Sequence, residues 1–421
     1  MPWSYFYSAG KDPVILMVGI VVLVLLIVIS LLLINNCGDN KIKKAFYLAL
    51  FLQILILITD NYIKDFPLIN VDARAHEGLA WFSYLNNVNV GRGEYNTFIL
   101  NPIYKLLKIR VAIIFGAINI VCHMLINLNL YDIYNKLRID KNLKRILMYI
   151  SVLSPISLIL RAGILREAIM IMFVSYSLKN FINYSVDKNG ISILKTFVYI
   201  GIAAVFHNGV IFLAIGYLIY LLDGNKNQKG FQILIFILAM GSFIIFKDKL
   251  LEKVGGGDIE KVLAYNNNGQ LLSAGSAYLI GINTESLGQI MIFLPLFVFY
   301  FFYSPTPEMI RGVLDIATFT LNSSIYIYIT TLGVMSYQKI KNNLKKEEKK
   351  ILKALIISVL FTGAVFSIGT RNAGTAMRHR DKILPFLLVA FAIVRNRYLL
   401  ESKYKKEKRF LKGERENGQS N

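Results

Sequence analysis

The chain has 421 residues, of which 55% are hydrophobic and only 17% charged, with a mean hydropathy of +0.52. That balance excludes a soluble globular domain and a disordered polymer, and it places most of the chain in lipid. The net charge of +21 is broken up between apolar runs, so it reads as basic cytoplasmic loops and not as a nucleic-acid surface.

Bilayer crossings need roughly 20 apolar residues each. The run Pro13 to Asn35 has that length, and no small-residue cleavage site follows it, so it reads as a retained helix. Lys41, Lys43 and Lys44 place the next loop inside the cell. The run Ala45 to Ile63 then crosses outward and delivers a long polar segment, residues 64–110, to the outer side. Residues Val111 to Leu130 return to a loop carrying Lys136, Arg138, Lys141, Lys144 and Arg145. Ile146 to Leu160 goes outward to a charged turn, Arg161 to Glu167, and Ala168 to Tyr184 comes back. Ile193 to Leu222 is too long for one upright helix and is interrupted at His207-Asn208-Gly209, so it reads as a hairpin of two shorter helices. Phe231 to Phe246 leads to a second long outer segment, residues 247–288.

Beyond it, Gln289 to Tyr303 and Gly312 to Met335 are apolar, and the next loop, with Lys339 to Lys350, is basic enough to lie inside. Counting both as crossings puts that loop on the wrong side. One segment is therefore expected to be re-entrant or doubled, and Gly312 to Met335, split by Asn322-Ser323-Ser324, is the candidate. Two short runs, Ala354 to Ile368 and Ile383 to Val394, enclose an outer turn from Thr370 to Lys382. The expected fold class is all-α: one polytopic domain over residues 1–400 with about 11–12 transmembrane helices, two long outer loops, and a basic cytoplasmic tail over 401–421. Cys37 and Cys122 give no disulfide framework, and Cys122-His123 reads as packing.

With the topogenic lysines set aside, the remaining ionisable residues gather on the outer side. The first long segment holds Asp72, Arg74, His76 and Glu77; the turn holds Arg161, Arg166 and Glu167; the helix break holds His207; the last turn holds Arg371, Arg378, His379 and Arg380. Arginines there oppose the positive-inside bias, and a phosphate explains them, because the planar guanidinium fork matches phosphate oxygens and stays charged. Asp72 and His76 are four apart and share a helical face. A carboxylate so placed accepts a proton from an attacking hydroxyl. The alternative for Asp72 is a solvated helix-terminal charge, and for Arg166-Glu167 a local ion pair. His76, His207 and His379 show no ligand spacing, and no metal is assigned to them.

The segments Asp72-Ala-Arg-Ala-His76, Asn101-Pro-Ile-Tyr-Lys-Leu-Leu, Ser154-Pro155 to Glu167-Ala, Phe206-His207-Asn208 and Asn372 to Arg380 with Pro385-Phe resemble bacterial surface-polysaccharide polymerases. These are the repeat-unit polymerases of O-antigen and capsule, related to polytopic glycosyltransferases of the GT-C type. The resemblance implies polymerisation of polyprenyl-pyrophosphate-linked oligosaccharides at the outer face of the bacterial cytoplasmic membrane. It implies Asp72 as catalytic base, with Glu167 and His76 as further catalytic candidates. It assigns the pyrophosphate and glycan to Arg74, Arg161, Arg166, His207, Arg371, Arg378, His379 and Arg380. No cofactor is required. A chain-length regulator and a flippase are the implied protein partners, beside the bilayer itself; no nucleic acid is involved. Two alternatives stand beside it: a GT-C transferase moving one sugar from a polyprenyl phosphate, and a transporter of lipid-linked glycans.

Overall fold

The computed structural model describes residues 12–63, 71–88, 96–163, 165–223, 277–279, 282 and 286–418; for 71–75, 96, 287, 314, 406 and 409–418 only the backbone is described. The expected run Phe231 to Phe246 and most of the segment 247–288 lie outside the described residues. Among the described residues the fold is all-α, with no strand and one isolated bridge between Ala277 and Asn372.

Helix α1 (Pro13–Asn35) starts where the Asp12 carboxylate accepts the amides of Val14 and Ile15, with proline at its first position. It is apolar all round, and Val14, Met17, Leu25 and Leu32 are exposed, as a helix facing lipid requires. Helix α2 (Asn40–Ile58), capped by Asp39, continues through a π-helical turn to Ile63. Next come α3 (Val71–Asn86), α4 (Asn101–Leu107) and α5 (Ile113–Lys136). Helices α6 (Lys141–Val152) and α7 (Pro155–Ala162) form one span bent by 45°. The bend falls where Pro155 removes an amide and Ser154 caps a new start. Then follow α8 (Glu167–Asp187), α9 (Gly190–Phe206), a 3-10 segment (Asn208–Leu213) and α10 (Ala214–Leu222). After the undescribed stretch come α11 (Leu287–Tyr303), the short α12 (Val313–Thr318) and a π-helical turn (Phe319–Ser323). Helices α13 (Ser324–Ile340), α14 (Lys346–Ile368) and α15 (Ala373–Gly418) complete the chain. Among the described residues five helices, α1, α2 with its turn, α5, α14 and α15, are long and apolar enough to cross a membrane, and the pair α6–α7 makes six when counted as one bent span. The protein is multi-pass.

Contacts sort the connections between two ends of the bundle. At one end Arg145 pairs with Asp39, Lys403 with Asp140, Lys188 with Glu347, and Lys350 reaches the Asp223 carbonyl. The loops after α1, α5, α8 and α13 and the end of α10 all meet there, and these loops carry basic residues. This is the distribution the positive-inside rule assigns to the cytoplasmic face. The start of α8, the end of α9 and the passage from α14 to α15 meet at the other end, where Glu167 touches Arg378 and His207 touches Phe366. The break at His207 is therefore a reversal, as expected. Its two arms pack on different neighbours, α9 on α8 and α10 on α14. Gly216 permits the second contact, since a Cβ there would sit 2.0 Å from the Ala354 carbonyl oxygen.

The irregular segment near residue 312 resolves differently from the sequence expectation. Along the 371–398 stretch, successive residues meet α11 and then α13 in one order. Arg371 lies over Phe297, Arg380 donates to the carbonyls of Phe302 and Ser304 and to Asn322, Phe391 approaches Gly333, and Arg395 reaches Ser336. Helices α11 and α13 thus run in the same sense and form two halves of one crossing. Ser323 donates to the Ser304 carbonyl at 2.8 Å, so residues 305–322 leave and return to a single point. The excursion is residues 305–322, and Gly312 to Met335 is not itself a doubled crossing. A second correction concerns Thr370 to Lys382, expected as a turn: from Ala373 onward it is the first three turns of α15. The helix also runs unbroken through residue 400, where the tail was expected to begin.

Candidate functional site

Consecutive residues on an α-helix point about 100° apart, so the run Arg378-His-Arg-Asp-Lys382 sends five polar side chains in five directions. A solvated turn is unnecessary because each direction meets a different partner. Arg378 donates to Glu167 Oε1 of α8 at 2.8 Å. The His379 ring lies 5.2 Å from His207, nearly perpendicular to it, and 4.6 Å from Phe366. Arg380, fully buried, serves three oxygens where α11 meets α13 and stacks 5.1 Å over Tyr326. Asp381 accepts from Arg161 Nη2 at 2.8 and 2.9 Å and from its Nε at 3.2 Å, and from the Ser157 hydroxyl at 2.7 Å. Lys382 Nζ lies 3.4 Å from His379 Nδ1 and over the Phe366 ring.

The site residues expected from sequence separate into groups. Arg166, Glu167, His207, Arg378 and His379 come together, drawn from three elements far apart in the chain. Arg166 and Lys382 stand within electrostatic reach of the same Glu167 carboxylate as Arg378. Glu167 is 4% exposed, and its Oε2 has no hydrogen-bond partner among the described residues. Arg161, Arg371 and Arg380 belong elsewhere. Arg161 is closed between Asp381 and His123, whose Nδ1 lies 3.0 Å from Nη1. Arg371 donates to the carbonyls of Leu279 and Ile282 and lies over Phe297, tying the chain before α11 to the 370 region. Arg380 is spent on the broken crossing. Their guanidinium donors tie parts of the bundle together, apart from the Glu167 group.

The first outer segment forms its own cluster. The Glu77 carboxylate, fully buried, accepts from the Tyr104 hydroxyl and from Arg110 Nε at 2.7 Å, which fixes α3 to α4 and to the start of α5. His76 is half-buried on α3, which packs on α4 and the turn before it. Asp72 and Arg74 lie in the first turn of the same helix, and their side chains are outside the described residues.

Sequence reasoning missed Asp381, Lys382 and His123. Asn119, His123 and Asn127 recur every four residues on α5, a polar stripe on one face inside an apolar run. That spacing announces a buried network: Asn119 binds the carbonyls of Gly163 and Leu165, His123 faces the Val152 carbonyl, and Asn127 takes the Ser151 hydroxyl. Reading Cys122-His123 as packing holds for the buried, unpaired Cys122 and fails for His123.

Chemically, the Glu167 group offers three cations around one carboxylate, with two histidines beside it. It suits an anion with several oxygens and supplies one free carboxylate oxygen. Among the described residues no group of three His, Cys, Asp or Glu side chains is placed to share a metal ion. Compared with family models, with curated proteins and with solved structures, the chain matches none.

Proposed function

We propose that the protein is a membrane-embedded polysaccharide polymerase that joins polyprenyl-pyrophosphate-linked oligosaccharide repeat units at the outer face of the bacterial cytoplasmic membrane. The observation that carries this reading is the convergence of Arg166, Arg378 and Lys382 on Glu167, at the end of the bundle away from the basic loops. Three cations there oppose the topological bias, and a lipid pyrophosphate is an anion that reaches that depth with its chain still in the bilayer.

The cycle begins with Arg378 paired to Glu167. Pyrophosphate oxygens entering beside Arg166 and Lys382 draw the Arg378 guanidinium towards them and release the carboxylate. A hydroxyl of the acceptor repeat unit attacks the anomeric carbon of the donor, and the bond from that carbon to the pyrophosphate oxygen breaks. Glu167 Oε2 takes the hydroxyl proton. The negative charge that grows on the departing polyprenyl pyrophosphate is held by the same three cations, the contribution that usually dominates such steps. His207 and His379 border the site and orient the glycan. Asp72, the base that the sequence resemblance implies, stands here as the alternative to Glu167.

The test is reconstitution of the purified chain in proteoliposomes with a polyprenyl-pyrophosphate-linked repeat unit, read as a ladder on a gel. Wild type should extend the ladder, and Arg378→Ala should slow extension by roughly 100-fold or more. Addition of one sugar from a polyprenyl phosphate would move the assignment to a GT-C transferase. Movement of intact lipid-linked glycan without bond formation would move it to a transporter.

A further inference from the structure

We propose a second binding site, at the basic end, for the phosphate headgroup of an anionic phospholipid. A cavity of about 540 Å³ opens between the start of α2, the last turns of α5 and the start of α6. Lys41, Lys141, Lys144 and Arg145 line it, with Asp39 as the one carboxylate among its lining residues. Of the lining cations, Arg145 pairs with that carboxylate, at 3.0 Å, while the carboxylate's other oxygen caps α2. The Lys144 ammonium rests on neutral groups, 2.6 Å from Asn135 Oδ1 and 5.0 Å over the Tyr131 ring. Lys41 and Lys141 form no ion pair among the described residues and are exposed. Three ammonium groups therefore line one concave space whose single carboxylate is taken up by Arg145 and the α2 amides, and a phosphate supplies the counter-charge they lack.

The surroundings identify the source of that phosphate. Lys141, Arg145 and Tyr149 follow at intervals of four on α6, and Lys41 and Leu48 lie seven apart on α2, so each cation shares a helical face with apolar residues deeper in the bundle. Leu48, Tyr47, Ile146 and Tyr149 are exposed, as residues facing acyl chains are. The Tyr149 hydroxyl touches the Lys41 carbonyl at 3.5 Å and joins the two faces just below the cavity. A headgroup in the cavity thus continues directly into chains lying on α2 and α6. This is the level at which a leaflet with anionic lipids attracts lysine. The site lies at the opposite end from the Glu167 group and does not depend on the polymerase reading.

Native mass spectrometry of the detergent-purified full chain tests it, with phosphatidylglycerol, phosphatidylcholine and inorganic phosphate as probes. Wild type should retain one phosphatidylglycerol in preference to phosphatidylcholine. The triple variant Lys41→Gln, Lys141→Gln, Lys144→Gln should lose that affinity on the order of a hundredfold, from three near-surface charges. The triple Lys→Arg variant should keep it, which separates loss of charge from loss of fold. Equal retention of both lipids by wild type, or unchanged retention of phosphatidylglycerol by the glutamine variant, overturns the proposal. So does binding of millimolar inorganic phosphate with no preference for the anionic lipid, since that outcome identifies a soluble anion.

Discussion

Arg378–Glu167 and Arg161–Asp381 are ion pairs whose α15 members lie three residues apart, and they differ in completeness. Asp381 receives four hydrogen bonds from Arg161 and Ser157, and the remaining guanidinium nitrogen faces His123. Glu167 receives one from Arg378 and has a second oxygen with none, although two further cations stand near it. A buried pair with every lone pair used returns its desolvation cost and fixes geometry. One with a spare oxygen and surplus positive charge is arranged for an additional partner. The same helix therefore carries a structural pair and a reactive one, and the number of filled valences distinguishes them.

The largest effect should come from the complete pair. Arg161→Ala or Asp381→Ala strands a buried charge and should cost about 3–5 kcal/mol, seen as loss of monodisperse protein on size exclusion. Arg161→Met with Asp381→Leu should recover much of that loss, because removing both charges leaves neither unpaired. In contrast, Glu167→Gln should leave the unfolding midpoint within a few degrees of wild type while abolishing ladder extension. If it instead unfolds the protein as severely as Asp381→Ala, the distinction between the two pairs collapses.

A smaller loss is expected at Arg380. Arg380→Lys keeps the charge but loses the fork that spans the Phe302 and Ser304 carbonyls and Asn322. One or two buried acceptors are left unfilled, for about 1–3 kcal/mol by thermal melt. The least effect belongs to Asp140, which caps α6 and pairs with Lys403 outside the spans. Burial alone would raise its carboxyl, but the Lys403 hydrogen bond and the helix amides outweigh that and hold it below the ordinary range. Its contribution is thus present above the unfolded carboxyl's titration and disappears as the pH falls through the lowered value. Asp140→Asn should remove roughly 0.5 kcal/mol at neutral pH and flatten that acid limb of the melting curve.

Much of the frame was legible in the sequence because it is written in apolar length and lysine placement. The reversal at His207 and the gathering of Arg166, Glu167, His207, Arg378 and His379 followed from topology alone. What escaped was direction around a helix axis. Asp381 sits between Arg380 and Lys382 in the chain, where nothing in the linear order singles it out, whereas helical rotation aims it at Arg161, 220 residues away in sequence. Arg378 and Arg380 looked alike as cations of one turn, yet they face opposite tasks for the same reason. The single crossing made by α11 and α13 was hidden because its halves are separated by an excursion that apolar length cannot distinguish from a span.

Helix α15 has one more consequence. Its 46 residues amount to about 69 Å of rod, against about 45 Å for a bilayer with its headgroups. Anchored by Arg378, Arg380 and Asp381 within its first three turns, it leaves roughly 20 Å standing clear of the opposite surface as a stiff basic mast. Anything that grips that mast pulls on the same backbone that positions Arg378.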